Sequence, residues 1–112
     1  IRPVQMFRLS NVLYIGTSGK YLSSSIANGI NEWQHLVYSI KPSSRTVYLN
    51  SFLINNDNFT NYWVGDGVRI GAYFTGNYYL KGLIDDVRIY NRVLSEEEIK
   101  LLYESYNPIL KI

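Results

Sequence analysis

The sequence predicts an all-β fold with one short C-terminal helix, and three observations lead there. Short runs of β-branched and aromatic residues recur along the chain, broken by clusters of Gly, Asn, Ser and Pro. A Pro-containing turn at Lys41-Pro42-Ser43-Ser44-Arg45 separates two alternating runs, the pattern of a hairpin. A capping signature, Ser95-Glu96-Glu97-Glu98, opens the one segment with helical periodicity.

Taken in order, the expected strands are Val4–Leu9, Val12–Ile15, Tyr21–Ala27, His35–Ile40, Thr46–Asn50, Val68–Tyr73 and Tyr79–Tyr90, the last bent or split around Gly82. In the run after the Pro turn, Val47 and Leu49 point one way while Thr46, Tyr48 and Asn50 point the other. In the run before it, Leu36, Tyr38 and Ile40 share a side opposite His35, Val37 and Ser39. Neither side of that run is strongly charged, so it is expected inside a sandwich rather than at an edge. Residues 55–67 form the longest stretch without strand character and read as a loop, although Phe59, Tyr62 and Trp63 fall within it.

The helix follows from its cap. The Ser95 hydroxyl can accept from the Glu98 amide while the Glu98 carboxylate reaches back, and three acids meet the positive end of the helix dipole. Leu94 and Ile99 stand at hydrophobic-staple spacing, and Ile99, Leu102, Tyr103 and Tyr106 form one apolar stripe. Pro108 limits further continuation.

A chain of 112 residues has room for one domain spanning residues 1–112, and 46% apolar residues against 18% charged gives it a core to bury. A net charge of +2 with dispersed Lys and Arg lacks the footprint of a nucleic-acid binder. The absence of Cys excludes disulfides, thiolate chemistry and Cys-based zinc sites. No stretch approaches the apolar length of a transmembrane helix, so membrane insertion by one is not expected. The chain opens Ile1-Arg2-Pro3 without an initiator Met, which leads us to expect a processed product or a fragment.

Four blocks then stand out: Trp33-x-His35-Leu36-Val37, Val47-Tyr48-Leu49-Asn50, Ile70-Gly71-Ala72, and Gly82-x-Ile84-Asp85-Asp86-Val87-Arg88-Ile89-Tyr90-Asn91-Arg92-x-Leu94-Ser95 running into the capped helix. Together they resemble the C-terminal portion of a laminin-G-like, concanavalin A-like lectin/glucanase domain, from roughly Phe7 to Tyr106. The resemblance implies an antiparallel two-sheet jelly-roll sandwich whose first strands pair with its last. It also implies that the family's N-terminal strands are absent here, so the domain is expected to be N-terminally truncated. Its ladder edges would then be closed by the missing strands or by an adjacent subunit.

Asp85 and Asp86 are the first candidates for chemistry, since paired carboxylates serve as acid and base in glycoside hydrolysis. Adjacent strand residues point to opposite faces, however, and cannot readily flank one bond. Ile84 and Val87 are out of phase unless a bulge intervenes, so the expected role of the pair is to hold turn amides at one. The resemblance also makes Asp85 a candidate calcium ligand, with the other oxygens coming from the absent N-terminal turn. Calcium needs six to eight of them, so no complete metal site and no other cofactor is expected. His35, the only His, reads as structural, and Ser23-Ser24-Ser25 lacks a nucleophile elbow. No catalytic residue is assigned. The candidate ligand-binding residues are Tyr62, Trp63, Tyr73, Tyr78 and Tyr79, whose rings can stack on sugars beside Asn and Asp. They can equally cover a Tyr-rich core or anchor a protein interface.

The expected function is non-catalytic recognition of a glycan or a neighbouring protein, within a larger extracellular, cell-surface or virion protein. The alternative is a structural or decoration component of a phage or virus particle or another assembly, its edges closed by neighbours. A glycoside hydrolase or lyase of similar fold is the third reading.

Overall fold

The computed structural model of the chain describes residues 4–9, 12–17, 20–25, 32–58, 68–71, 80 and 82–106. Its strands are β1 (Val4–Leu9), β2 (Val12–Thr17), β3 (Lys20–Ser25), β4 (Leu36–Lys41), β5 (Ser44–Leu49), β6 (Phe52–Asp57) and β7 (Val68–Ile70), followed by α1 (Glu96–Ser105). They form a four-stranded sheet of order β3-β2-β1-β7 and a three-stranded sheet of order β4-β5-β6. All ladders are antiparallel except β1 with β7, which runs parallel.

The two sheets are held together by apolar side chains that alternate along their strands. Ile15 and Leu22 of the first sheet and Val47 of the second form a buried cluster, packed by Met6, Leu36, Tyr38 and Ile54. The Asn55 side-chain amide donates to the Ser23 carbonyl at 2.9 Å, a direct bond between β6 and β3. Beside this core Arg45 is 2% exposed, and its guanidinium donates to both Asp57 oxygens at 2.7 and 2.8 Å. A buried guanidinium is tolerated because the carboxylate matches its fork and supplies the opposite charge.

The other face of the second sheet is covered by α1. Tyr48, Leu94 and Ile99 are buried together, with Val37 and Leu102 packed against them. The staple pair and the helical stripe therefore meet the β4–β5 face whose residues alternate with the inter-sheet core. The capping box is complete: the Glu98 amide donates to Ser95 Oγ at 3.1 Å, and the Ser95 amide to Glu98 Oε1 at 3.0 Å. Replacing Ser95 with Ala should lower stability by about 1 kcal/mol, readable as a shift of the urea midpoint at unchanged slope.

Three elements differ from expectation. β6 occupies Phe52–Asp57, so residues 55–57 belong to a strand rather than to the expected loop. Its entry turn uses Asn50 and Ser51, both at positive φ (50° and 68°), a two-residue hairpin turn built without the glycine that normally signals one. The register then slips between Val47 and Tyr48, which face Asn55 and Leu53 and leave Ile54 as the extra residue. That bulge erases the strand's alternation in sequence while delivering Ile54 to the core. The second difference is β4, which lies at the end of its sheet among the described residues. Its uncharged sides reflect burial by the opposite sheet and by α1, not an interior position. Thirdly, among the described residues, 82–90 of the expected Tyr79–Tyr90 strand join no ladder, and all nine are exposed.

Candidate functional site

Asp85 and Asp86, the acids singled out in the sequence, lie on the ribbon 82–94, which leads into α1. It starts beside Gly71, where φ is +93° and an added Cβ would lie 3.2 Å from Ile84 Cδ1. The position excludes a side chain both for its backbone conformation and for the approach of Ile84. At its far end Leu94 is buried under α1, and Arg92 makes a bidentate pair with Glu98 at 2.9 and 2.6 Å. This pair and the Ser95 amide hold the Glu98 carboxyl down at about 2.

Between these anchors stand the two acids. The Asp86 amide donates to Asp85 Oδ1 at 2.8 Å, and Asp86 itself has φ +56°, a left-handed residue in an otherwise extended run. The phase break between Ile84 and Val87 therefore has a structural cause, and the first acid holds the amide of the kink as expected. Asp86 turns its carboxylate to α1, where it accepts from the Tyr106 hydroxyl, and Arg88 approaches the same carboxylate at 3.5 Å. The Tyr106 bond, followed by Arg88, keeps the Asp86 carboxyl below the usual carboxylate range. Tyr106 is raised in turn by its bond to Asp86.

His35 lies next to this lock. Its ring centroid is 6.1 Å from that of Tyr103 and 5.8 Å from that of Tyr106, both tilted. Its backbone amide donates to Asn50 Oδ1 at 2.8 Å, and Asn50 Nδ2 donates to Gln34 Oε1 at 2.7 Å. The strained Asn50 turn thus pins the segment preceding β4. Among the described residues His35 Nδ1 is buried without a hydrogen-bond partner. Burial, then the nearby positive Arg88, holds the imidazole below its usual value of 6.5. Such a group stays neutral in the fold while the unfolded chain takes up a proton, so its stability contribution is present above pH 6.5 and is lost as pH falls through the lowered value. Thermal midpoints should therefore decline below about pH 6.5 in the wild type, and less steeply in His35→Gln, measured between pH 8 and 5.

Of the candidate ligand-binding residues, Tyr62, Trp63, Tyr73, Tyr78 and Tyr79 lie outside the described residues. Asp85 is exposed, and among the described residues no cluster of three acidic or imidazole groups forms around it or elsewhere. The described exposed aromatics are elsewhere. Trp33 is 67% exposed and Phe52 73%. Leu36 pairs with Leu49 and Leu49 with Phe52, so Phe52 opens β6 at the end of the second sheet where β4 begins, and Trp33 precedes β4 by three residues. The Gln34 and Asn50 amides lie between them in the chain's path. Sequence reasoning placed Trp33 only within a family block and Phe52 nowhere, because exposure cannot be read from an aromatic residue by itself.

A laminin-G family model, described as the concanavalin A-like lectin/glucanases superfamily, matches residues 7–100. The chain belongs to this superfamily. The match runs from within β1 to the middle of α1 and includes the ribbon. No curated protein matches significantly. Among solved structures, the concanavalin A-like chain is similar to the 2.1 Å crystal structure of an S-layer domain-containing protein (residues 221–444) from Clostridium thermocellum ATCC 27405. The identity is 27% and the TM-score 0.57, over 82% of this chain and 50% of that one. This chain thus spans about half the length of the structure it matches. Among the described residues no helix is long and apolar enough to cross a membrane.

Proposed function

We propose that the chain is a non-catalytic recognition module of an extracellular, cell-surface protein, binding a glycan or a neighbouring protein surface. The observation that carries this reading is the exposed aromatic end of the second sheet. Trp33 and Phe52 present most of their surface to water and lie close in sequence to the hydrogen-bonded amides of Gln34 and Asn50. β4 and β6 flank β5, so the strand ends that follow Trp33 and begin at Phe52 lie roughly 10 Å apart, a width that suits a sugar ring or a peptide segment. Flat rings stack on the apolar faces of sugars, and amides supply hydrogen bonds to hydroxyls. The similarity to an S-layer domain-containing protein supports the cell-surface setting.

The two acids support the absence of catalysis. Asp85 caps the kink amide, and Asp86 is committed to Tyr106 and Arg88, so both carboxylates hold the ribbon in place. A glycan array followed by calorimetry on the best ligand tests the proposal. Trp33→Ala and Phe52→Ala should each weaken binding on the order of tenfold. Binding unchanged in both variants would remove the aromatic end from consideration. Bond cleavage of a polysaccharide that is lost in Asp85→Ala would replace recognition with hydrolysis.

A further inference from the structure

We infer that Asn50 is the specificity-determining residue of the Trp33–Phe52 end, because it makes the Gln34 carboxamide an outward hydrogen-bond donor suited to N-acetylated sugars. This choice of ligand rests on the recognition reading above. Asn50 and Ser51 take left-handed backbone (φ 50° and 68°), a conformation that Asn adopts more readily than most side chains. From there Asn50 makes three hydrogen bonds to the segment before β4. Its amide donates to the His35 carbonyl at 2.8 Å, its Oδ1 accepts from the His35 amide at 2.8 Å, and its Nδ2 donates to Gln34 Oε1 at 2.7 Å. The turn that leads into Phe52 and the segment that carries Trp33 are thereby joined.

These bonds dictate which way each carboxamide faces. A backbone N–H can only donate, so the atom of Asn50 that meets the His35 amide must be its oxygen. Asn50 Nδ2 then faces Gln34, and a donor there requires Gln34 Oε1 in return. Gln34 Nε2 is left outside the pair. Among the described residues it meets no acceptor, and the only buried side-chain nitrogen or oxygen without a partner is His35 Nδ1, so water reaches Gln34 Nε2. Both side-chain oxygens are engaged within the pair, whereas the two Nε2 hydrogens remain for a ligand.

A pair that offers donors selects an acceptor. The strong acceptors on a glycan are the carboxylate of an acidic sugar and the carbonyl of an acetamido group, and Glu32 decides between them. It is exposed one residue before Trp33, where its negative charge repels a carboxylate and leaves a neutral acetamido group unaffected. The Trp33 and Phe52 backbones lie one and two residues from Gln34 and Asn50, at most about 4 and 8 Å, so one sugar can reach the donor and an aromatic side chain together. The acetamido methyl and the pyranose face supply apolar surface for those rings.

Calorimetric titration with N,N′-diacetylchitobiose and with cellobiose, which share a linkage and differ in the 2-substituent, tests the assignment. The wild type should bind the acetylated sugar about five- to tenfold more tightly, the effect of one hydrogen bond. Asn50→Asp keeps the acceptor for the His35 amide and suits the left-handed turn, but it cannot donate. Gln34 then turns Nε2 inward, and the preference should fall to about twofold or less. Gln34→Glu, which still accepts from Asn50 and has no donor to present, should do the same. Both sugars are neutral, so the added charge does not sort them. Trp33→Ala should weaken both sugars together. Equal affinities in the wild type, or a preference that survives both Asn50→Asp and Gln34→Glu, would overturn the inference, while the binding measured leaves recognition standing. Binding of neither sugar would overturn it too, and the wider glycan array then decides recognition separately.

Discussion

Asp57→Ala should lower the stability of the chain by about 3–5 kcal/mol, the cost of removing one partner from a buried charge pair. Arg45 is 2% exposed and the Asp57 side chain 37%, so the two halves of the pair are unequal. Removing the carboxylate leaves a guanidinium that cannot lose its proton in a site closed to water. Removing the guanidinium leaves a carboxylate that solvent can reach. The order Asp57→Ala worse than Arg45→Met is therefore expected, with Asp57→Asn between wild type and Asp57→Ala because it keeps one acceptor. Urea unfolding followed by circular dichroism measures all three, and equal losses for Asp57→Ala and Arg45→Met would refute the asymmetry.

Ile99→Ala should cost about 2–5 kcal/mol, since the side chain is fully buried between Tyr48, Leu94 and Leu102 and its loss leaves a cavity. Leu101, on the same helix but 64% exposed, supplies the control: Leu101→Ala should stay within about 0.5 kcal/mol. The contrast tests how α1 is docked. Tyr48 carries the same interface from the sheet side, where burial raises its hydroxyl and Glu96 of the first helical turn receives it. A helix loosely attached to the sheet would give equal and small effects at positions 99 and 101.

Much of this arrangement is legible in the sequence. Ser95, Glu98, Leu94 and Ile99 encode the cap and the buried side of the helix through local spacing, and the structure uses all four as expected. The Pro42-Ser43 turn and the alternation of Val47 with Tyr48 likewise survive, although both faces of that strand turn out to be covered. β6 was hidden for a physical reason. Its turn takes left-handed backbone at Asn50 and Ser51 with no Gly to announce it, and the bulge at Ile54 breaks the period of two. The ribbon failed in the opposite direction. Ile84, Val87 and Ile89 have strand chemistry, but a strand exists only when another chain segment offers a ladder, and that is a tertiary fact. At the candidate site the phase break at the two acids was readable, whereas the reach of Asp86 to Tyr106, 20 residues away, was not. His35 read as structural from its family block, and its packing against Tyr103 and Tyr106 gives that reading its physical content.

The central claim is that β4 and β5 are covered on both sides, by the opposite sheet on one face and by the helix on the other, with the acids serving that arrangement. Nuclear Overhauser spectroscopy on the methyl-labelled chain measures it directly. The account expects cross-peaks from Leu22 to Val47, joining the sheets, and from Ile99 to the Tyr48 ring, joining helix and sheet. A spectrum in which Val47 contacts Ile99, or in which neither long-range pair appears in a folded sample, would contradict it.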